Sequence, residues 1–156
     1  MTTETQPQKL MSIQTELKAP KGQTNKFGGY SYRSAEDILE AVKPLLQKYK
    51  CDLTLSDDIV AVGGRVYVKA TAMLCDTDVI AEVSAFAREA ETKKGMDDAQ
   101  ITGSASSYAR KYALNGLFCI DDTKDADATN THGKSEKIKS YKDIQMTKPK
   151  TKEDLF

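Results

Sequence analysis

Hydrophobic and polar residues change their period twice along this chain, from helical spacing to strict alternation and back, and those changes set the order of its elements. Leu10, Ile13 and Leu17 are spaced for one face of a short amphipathic helix over residues 8–18, which stops before Pro20. The stretch Lys21-Gly22-Gln23-Thr24-Asn25-Lys26-Phe27-Gly28-Gly29 is polar and glycine-rich and reads as a basic loop. Ser34 then caps a second helix with Ile38, Val42, Leu45, Leu46 and Tyr49 on its inner stripe, and Pro44 inside it predicts a kink.

From Cys51 to about Arg88 the period is two, with Gly63-Gly64 and Asp76-Thr77-Asp78 as turn signals, which predicts three consecutive strands in an antiparallel meander. In the middle strand Val66, Val68, Ala70, Ala72 and Leu74 form the core face, while Arg65, Tyr67, Lys69 and Thr71 face the other way. The first strand, Leu53 to Val62, carries Asp57-Asp58, where a bulge or break is expected. Asp97 with Gln100 forms a capping pair that opens a last helix, expected to end at Asn115-Gly116. Gly103 within it, beside Ala105 and Ala109, predicts a close approach to the sheet. From Thr123 onward little apolar residue remains and no period is visible. The expected organisation is therefore one α+β domain over residues 1–123, a three-stranded meander packed by helices, and a flexible C-terminal tail over 124–156.

Composition narrows the class. Hydrophobic residues make up 39% and charged residues 29%, and no apolar run approaches the length of a membrane span. The first residues lack the basic start and apolar core of a signal peptide, so a cytosolic protein without membrane partners is expected. Cys51, Cys75 and Cys119 show no CxxC spacing, which predicts reduced, mostly buried thiols rather than disulfides or a zinc site. Formal charge is zero, with 23 basic and 23 acidic residues, so any affinity for nucleic acid must be local. Between Glu16 and Glu36 the chain carries Lys18, Lys21, Lys26 and Arg33 with no acid, whereas residues 51–98 hold ten acids against five bases.

Two segments pair aromatic with basic side chains, the combination that a groove for unpaired nucleic acid requires: cations for phosphates and π-faces for bases. One is Tyr30-Ser31-Tyr32-Arg33, preceded by Lys26. The other is Gly103 through Leu114, with Tyr108, Arg110, Lys111 and Tyr112. Arg110 and Lys111 lie about 100° apart on a helix, so both cannot be buried. Tyr108 and Tyr112 share the face of Ile101 and Ala105, a core spacing, and whether they pack or stack stays open. Arg65, Tyr67 and Lys69 form a basic-aromatic-basic stripe that suits one wall of the groove, or an ordinary solvated face. Asp121, Asp122, Asp125 and Asp127 invite a calcium reading, but Ala126 stands where an EF-hand loop needs glycine and His132 where it needs glutamate. No Walker-type or GxGxxG loop occurs, and no cofactor, metal or enzymatic activity is expected.

Residues 26–38, Lys26-Phe27-Gly28-Gly29-Tyr30-Ser31-Tyr32-Arg33-Ser34-Ala35-Glu36-Asp37-Ile38, together with Gln100 through Leu114 and the following Asp121–Ala128, resemble the ERF (essential recombination function) family of phage single-strand annealing proteins. The resemblance covers roughly residues 8–128. Ser107 stands where that family more often has Thr, and Lys111 where Arg is more usual, which forgoes a bidentate grip on phosphate. The resemblance implies a β-β-β-α core, ATP-independent binding and annealing of single-stranded DNA in phage recombination, a ring or filament of identical subunits, and a location in the bacterial host cytoplasm. Lys26, Tyr30, Tyr32, Arg33, Arg65, Tyr67, Lys69, Arg110 and Lys111 are the expected DNA-binding residues, converging along one furrow. The alternatives are a passive strand-protecting protein of phage replication and a metal-dependent nuclease using Asp121–Asp127. The end Lys152-Glu153-Asp154-Leu155-Phe156 is similar to the acidic, Phe-ended tails with which bacterial single-strand-binding proteins recruit partners, naming the host single-strand-binding protein as a candidate partner.

Overall fold

The computed structural model of the protein describes residues 5–26 and 28–120. The aspartate cluster from Asp121, His132, the expected tail and the Phe156 end lie outside the described residues. In chain order the elements are α1 (Gln6–Glu16), β1 (Gln23–Asn25), β2 (Tyr30–Tyr32), α2 (Ala35–Tyr49), β3 (Asp52–Val62), β4 (Arg65–Cys75), β5 (Val79–Arg88) and α3 (Asp98–Leu117). The expected α+β class and three-stranded meander are what the structure has: β3, β4 and β5 form an antiparallel sheet in that order. Among the described residues no helix is long and apolar enough to cross a membrane.

The meander follows from its turns and its alternation. Gly63 and Gly64 both take positive φ, 56° and 74°, which lets a two-residue connection match the right-handed twist of β3 and β4. Val68, Ala70, Ala72 and Leu74 on β4 are 0–1% exposed and form one core with Ile13, Ile38, Val42, Ala105, Ala109, Ala113, Leu114 and Phe118. All three helices therefore lie on one face of the sheet. Burial of Leu114, Leu117 and Phe118 contributes about 1.5–3 kcal/mol each by transfer from water.

The seat of α3 on the sheet is made of alanine. Ala105, Ala109 and Ala113 meet a surface built from Ala70, Ala72, Ala81 and Ala85, so helix and sheet approach closely. Asp97 and Gln100 start this helix as expected, with Asp97 Oδ1 accepting from the Gln100 N–H at 2.8 Å. Two expectations about its glycines are corrected. The helix runs through Asn115-Gly116 to Leu117. It is Gly116, not Gly103, that makes the close approach: a Cβ at Gly116 would stand 2.9 Å from Val83 Cγ1, whereas one at Gly103 would meet nothing within 4 Å.

Ion pairs and hydrogen bonds close the periphery. Lys9 of α1 reaches Asp76 in the β4–β5 turn at 2.6 Å. Gln14 donates to the Leu117 carbonyl at 2.8 Å and satisfies an otherwise open helix end. Lys48 and Tyr49 of α2 donate to the Glu16 carboxylate at 2.6–2.8 Å, and these bonds, Lys48 first, hold its pKa below the usual carboxylate value.

Sequence expectations also fail at three other places. Residues 21–29 are not simply a loop, because β1 pairs with β2 in a small hairpin, Gln23 opposite Tyr32 and Asn25 opposite Tyr30. Strand β3 is unbroken at Asp57-Asp58, and the irregularity lies instead between Leu74 and Cys75 on the β4–β5 side. Of the three free cysteines only Cys51 is buried, where burial pushes its thiol pKa up; Cys75 is half-buried and Cys119 exposed. Asp57 is tolerated on the helix side of the sheet because it has partners on α3. Ser106 Oγ donates to it at 2.6 Å, Arg110 Nε donates to both carboxylate oxygens at 3.1 Å, and Arg110 Nη2 lies 2.9 Å away.

Two stability measurements follow. In urea unfolding, Gly103→Ala raises the midpoint, since the site is open and glycine costs a helix roughly 0.5–1 kcal/mol relative to alanine. Gly116→Ala lowers it, by about 1–3 kcal/mol less the propensity gain, because β-branched Val83 has little rotamer freedom with which to yield. For Asp57, burial raises the pKa, but the bonds from Arg110 and Ser106 and the Arg110 charge outweigh it, leaving a net lowering. A lowered folded pKa contributes stability above the unfolded value of roughly 3.9 and loses it as pH falls through the folded value. Asp57→Asn therefore costs about 0.5–1 kcal/mol at neutral pH, a gap that narrows at pH 3 and below. An equal gap at both pH values contradicts this assignment.

Candidate nucleic-acid interface

Strand β2 runs directly into the start of α2, so Tyr30, Tyr32 and Arg33 are placed by the bonds that begin the helix. Asp37 N–H donates to Ser34 Oγ at 3.2 Å, and Ser34 N–H donates to Asp37 Oδ2 at 2.7 Å. Gln23 Nε2 on β1 donates to the same two acceptors, at 3.2 Å and 2.9 Å, and ties the hairpin to the helix. The Ser34 backbone bond is the main reason that the Asp37 pKa is lowered, against burial and with help from the Ser34 and Gln23 side chains. This carboxylate stays charged across the neutral range and keeps the junction closed.

Gly28 positions the first tyrosine. A Cβ there would stand 2.6 Å from Tyr30 Cδ1, so the ring lies directly over bare backbone. Asn25 Nδ2 donates to the Tyr30 hydroxyl at 3.0 Å. The rings of Tyr30 and Tyr32 meet edge to face, with centroids 6.3 Å apart and planes at 63°.

The facing wall comes from α3. Tyr108 and Tyr112 are not core residues, as their spacing with Ile101 and Ala105 allowed: they are 51% and 44% exposed. An alanine-lined seat leaves no room for a ring between helix and sheet, so both tyrosines lie at its margin. Lys111 sits over them, its Nζ 5.1 Å from each ring centroid, and the two centroids are 6.2 Å apart. Both distances are within the roughly 6 Å at which a ring face attracts a cation.

Hairpin and helix meet around one cleft of about 270 Å³, lined by Tyr30, Tyr32, Arg33, Tyr108, Lys111 and Glu36 among others. Arg33 is 8% exposed and belongs to the wall, whereas Lys111 is half-buried and reachable. Lys26 is exposed in the hairpin turn. A single furrow containing all nine expected residues is not what the fold provides. Arg110 turns to the opposite side of α3 and is held by Asp57. Arg65, Tyr67 and Lys69 lie on the sheet face away from the helices, alternating with Val68, Ala70 and the other buried positions of β4.

Sequence reasoning left the side of Tyr108 open and missed Asn25, Ser107 and Glu36 as cleft residues. Glycine next to aromatic in Gly28-Gly29-Tyr30 was the available signal for a ring laid on backbone. Among the described residues no cluster of three or more His, Cys, Asp or Glu is placed to hold a metal ion.

The pattern that defines the ERF superfamily matches residues 7–153. Over 119 residues the chain is 61% identical to the essential recombination function protein of Salmonella phage P22, a match covering 76% of this chain and 57% of that relative. The chain thus matches little more than half the length of the phage protein. No solved structure gives a significant match. With a family pattern extending over nearly all of its length, and its tyrosine-lysine cleft built from two segments within that match, the chain belongs to the ERF superfamily.

Proposed function

We propose that this protein binds single-stranded DNA in the cleft between the hairpin and α3, and that it promotes annealing of complementary strands in phage recombination without ATP. The observation that carries this reading is the meeting of Tyr30, Tyr32 and Tyr108 with Lys111 around one space. Unpaired bases have free π-faces and duplex bases do not, so aromatic walls beside a cation select single strands with little sequence preference. At about 270 Å³ the cleft is near the lower limit of small-ligand sites, roughly 300 Å³, and takes one base rather than a run of them.

A cleft of that size binds weakly alone. Affinity for a long strand then comes from repetition, and a ring or filament of subunits supplies it by turning later contacts into intramolecular ones. Held along such an assembly, a strand is extended and presents its remaining bases for pairing. The recombination role draws on superfamily membership and on the name of the phage P22 relative. The place of action is the host cytoplasm, with the host single-strand-binding protein as a further partner.

The test mixes complementary labelled oligonucleotides with and without protein, in the absence of ATP. The parent accelerates pairing above the spontaneous rate. Tyr108→Ala weakens binding by about 1–3 kcal/mol, the value of one stacked base. Lys111→Ala weakens it and reduces the slope of log affinity against log salt by about 0.7. Binding without acceleration leaves a strand-protecting protein and overturns annealing, whereas no binding overturns the cleft assignment.

A further inference from the structure

Tyr108 is shared by two clefts. Its other side borders a space of about 370 Å³ along β5, lined by Phe86, Arg88, Lys93, Ser104 and Tyr112 together with Ile101 and alanines. We infer that the surface for single-stranded DNA continues past Tyr108 onto this edge, where Tyr112 and Phe86 offer faces to successive bases and Lys93 and Arg88 hold the phosphates between them. This rests on the reading of the first cleft as a single-strand site and extends it to Phe86, Arg88 and Lys93, which neither motif contains.

Four observations support the extension. The lining of the second cleft contains two cations and no carboxylate. The acids of this region, Glu89, Glu91 and Asp98, line a different cleft at the end of the sheet, shared with Arg65 and Arg88, so negative charge bounds the track on one side. The aromatic surface is available, Phe86 being 52% and Tyr112 44% exposed. The register places Phe86 opposite Lys69 and Arg88 opposite Tyr67, so their side chains leave β5 on the face away from the helices and the track rounds the sheet edge to reach them. The basic-aromatic stripe of β4 therefore adjoins the end of the track.

Among the described residues strand β5 pairs only with β4 and is an edge, so a second copy of the chain is the competing occupant. Charged side chains at a strand edge oppose strand-to-strand pairing, and β5 ends in Arg88, with Lys93 on the cleft beside it. A polyanion suits this edge better than another β-strand.

The experiment measures affinity for thymidine oligonucleotides of two to ten residues by fluorescence anisotropy, for the parent, Phe86→Ala/Arg88→Ala and Lys111→Ala. Both edge side chains are exposed, and unchanged circular dichroism and melting confirm folding. In the parent, affinity climbs with length beyond what one cleft supplies. The edge variant keeps the parent affinity for the shortest oligonucleotides but loses about tenfold or more on the longest, the value of one lost stack. Equal affinity of parent and edge variant at every length overturns the extension while leaving the first cleft intact. Loss of subunit association in the edge variant, seen by sedimentation without DNA, assigns the edge to contacts between copies and also overturns it. If the parent binds no oligonucleotide, the failure is that of the first cleft.

Discussion

The close approach of α3 to the sheet at Ala105, Ala109, Ala113 and Gly116 is the constraint from which the site follows. Ala105, Ala109 and Ala113 are 0–6% exposed and Ala70 and Ala72 0%, so a larger side chain at any of these positions pushes helix and sheet apart. The aromatic and long polar residues of α3 are consequently displaced to its margins and outer side. Ser106 and Arg110 turn towards β3, and Tyr108 and Tyr112 towards β5. Ser107 and Lys111 point away from the sheet into the space that the hairpin encloses. A larger residue at Ala109 would lift the helix and separate the walls of the cleft without touching either one. Packing in the core thus sets the geometry of the surface.

How much of this was legible in the sequence depends on where each residue finds its partner. The caps at Ser34 and Asp97 were readable because capping is a contact over three residues. The meander was readable because its core face repeats every second residue. Asp57 was misread as a break, since the partner that accommodates it, Arg110, lies 53 positions away. The β1–β2 hairpin escaped notice for another reason: Gln23-Thr24-Asn25 has no apolar alternation, and what holds it is side-chain bonding by Gln23 and Asn25 to groups on neighbouring elements. Gly103 and Gly116 look alike in sequence, and only the position of Val83 separates them. Of the candidate site, the two segments that build the cleft were visible as aromatic-basic pairs, but their meeting was not. Helix faces are local, whereas the angle at which a hairpin crosses a helix is set by the whole core.

For the proposed nucleic-acid surface, placement of charge matters more than the electroneutrality of the whole chain. Arg110 is neutralised by Asp57 and is better described as a strut between α3 and β3 than as a free cation. Lys48 of α2 is matched by Glu16 of α1 and Lys9 of α1 by Asp76 in the β4–β5 turn, so these cations also tie elements together. Lys111 differs, because its neighbours are ring faces. A cation held by two rings keeps its charge available to a ligand while losing part of the side-chain freedom that a flexible lysine gives up on binding.

The cleft is itself polar in a way that orients what enters. Glu36, in the first turn of α2, lies on its lining opposite in charge to Lys111. A carboxylate there suits the positive end of the helix dipole, and in the proposed binding mode phosphate is repelled from that wall and drawn to the α3 side. A nucleotide bound in the proposed manner places its phosphate at Lys111 and turns its base towards Tyr30 and Tyr32, leaving Glu36 and Asn25 to face base edges, where exocyclic amines donate. Direction along the cleft is then a consequence of one lysine and one glutamate on facing elements, both held in place by the capped start of α2 and the alanine seat of α3.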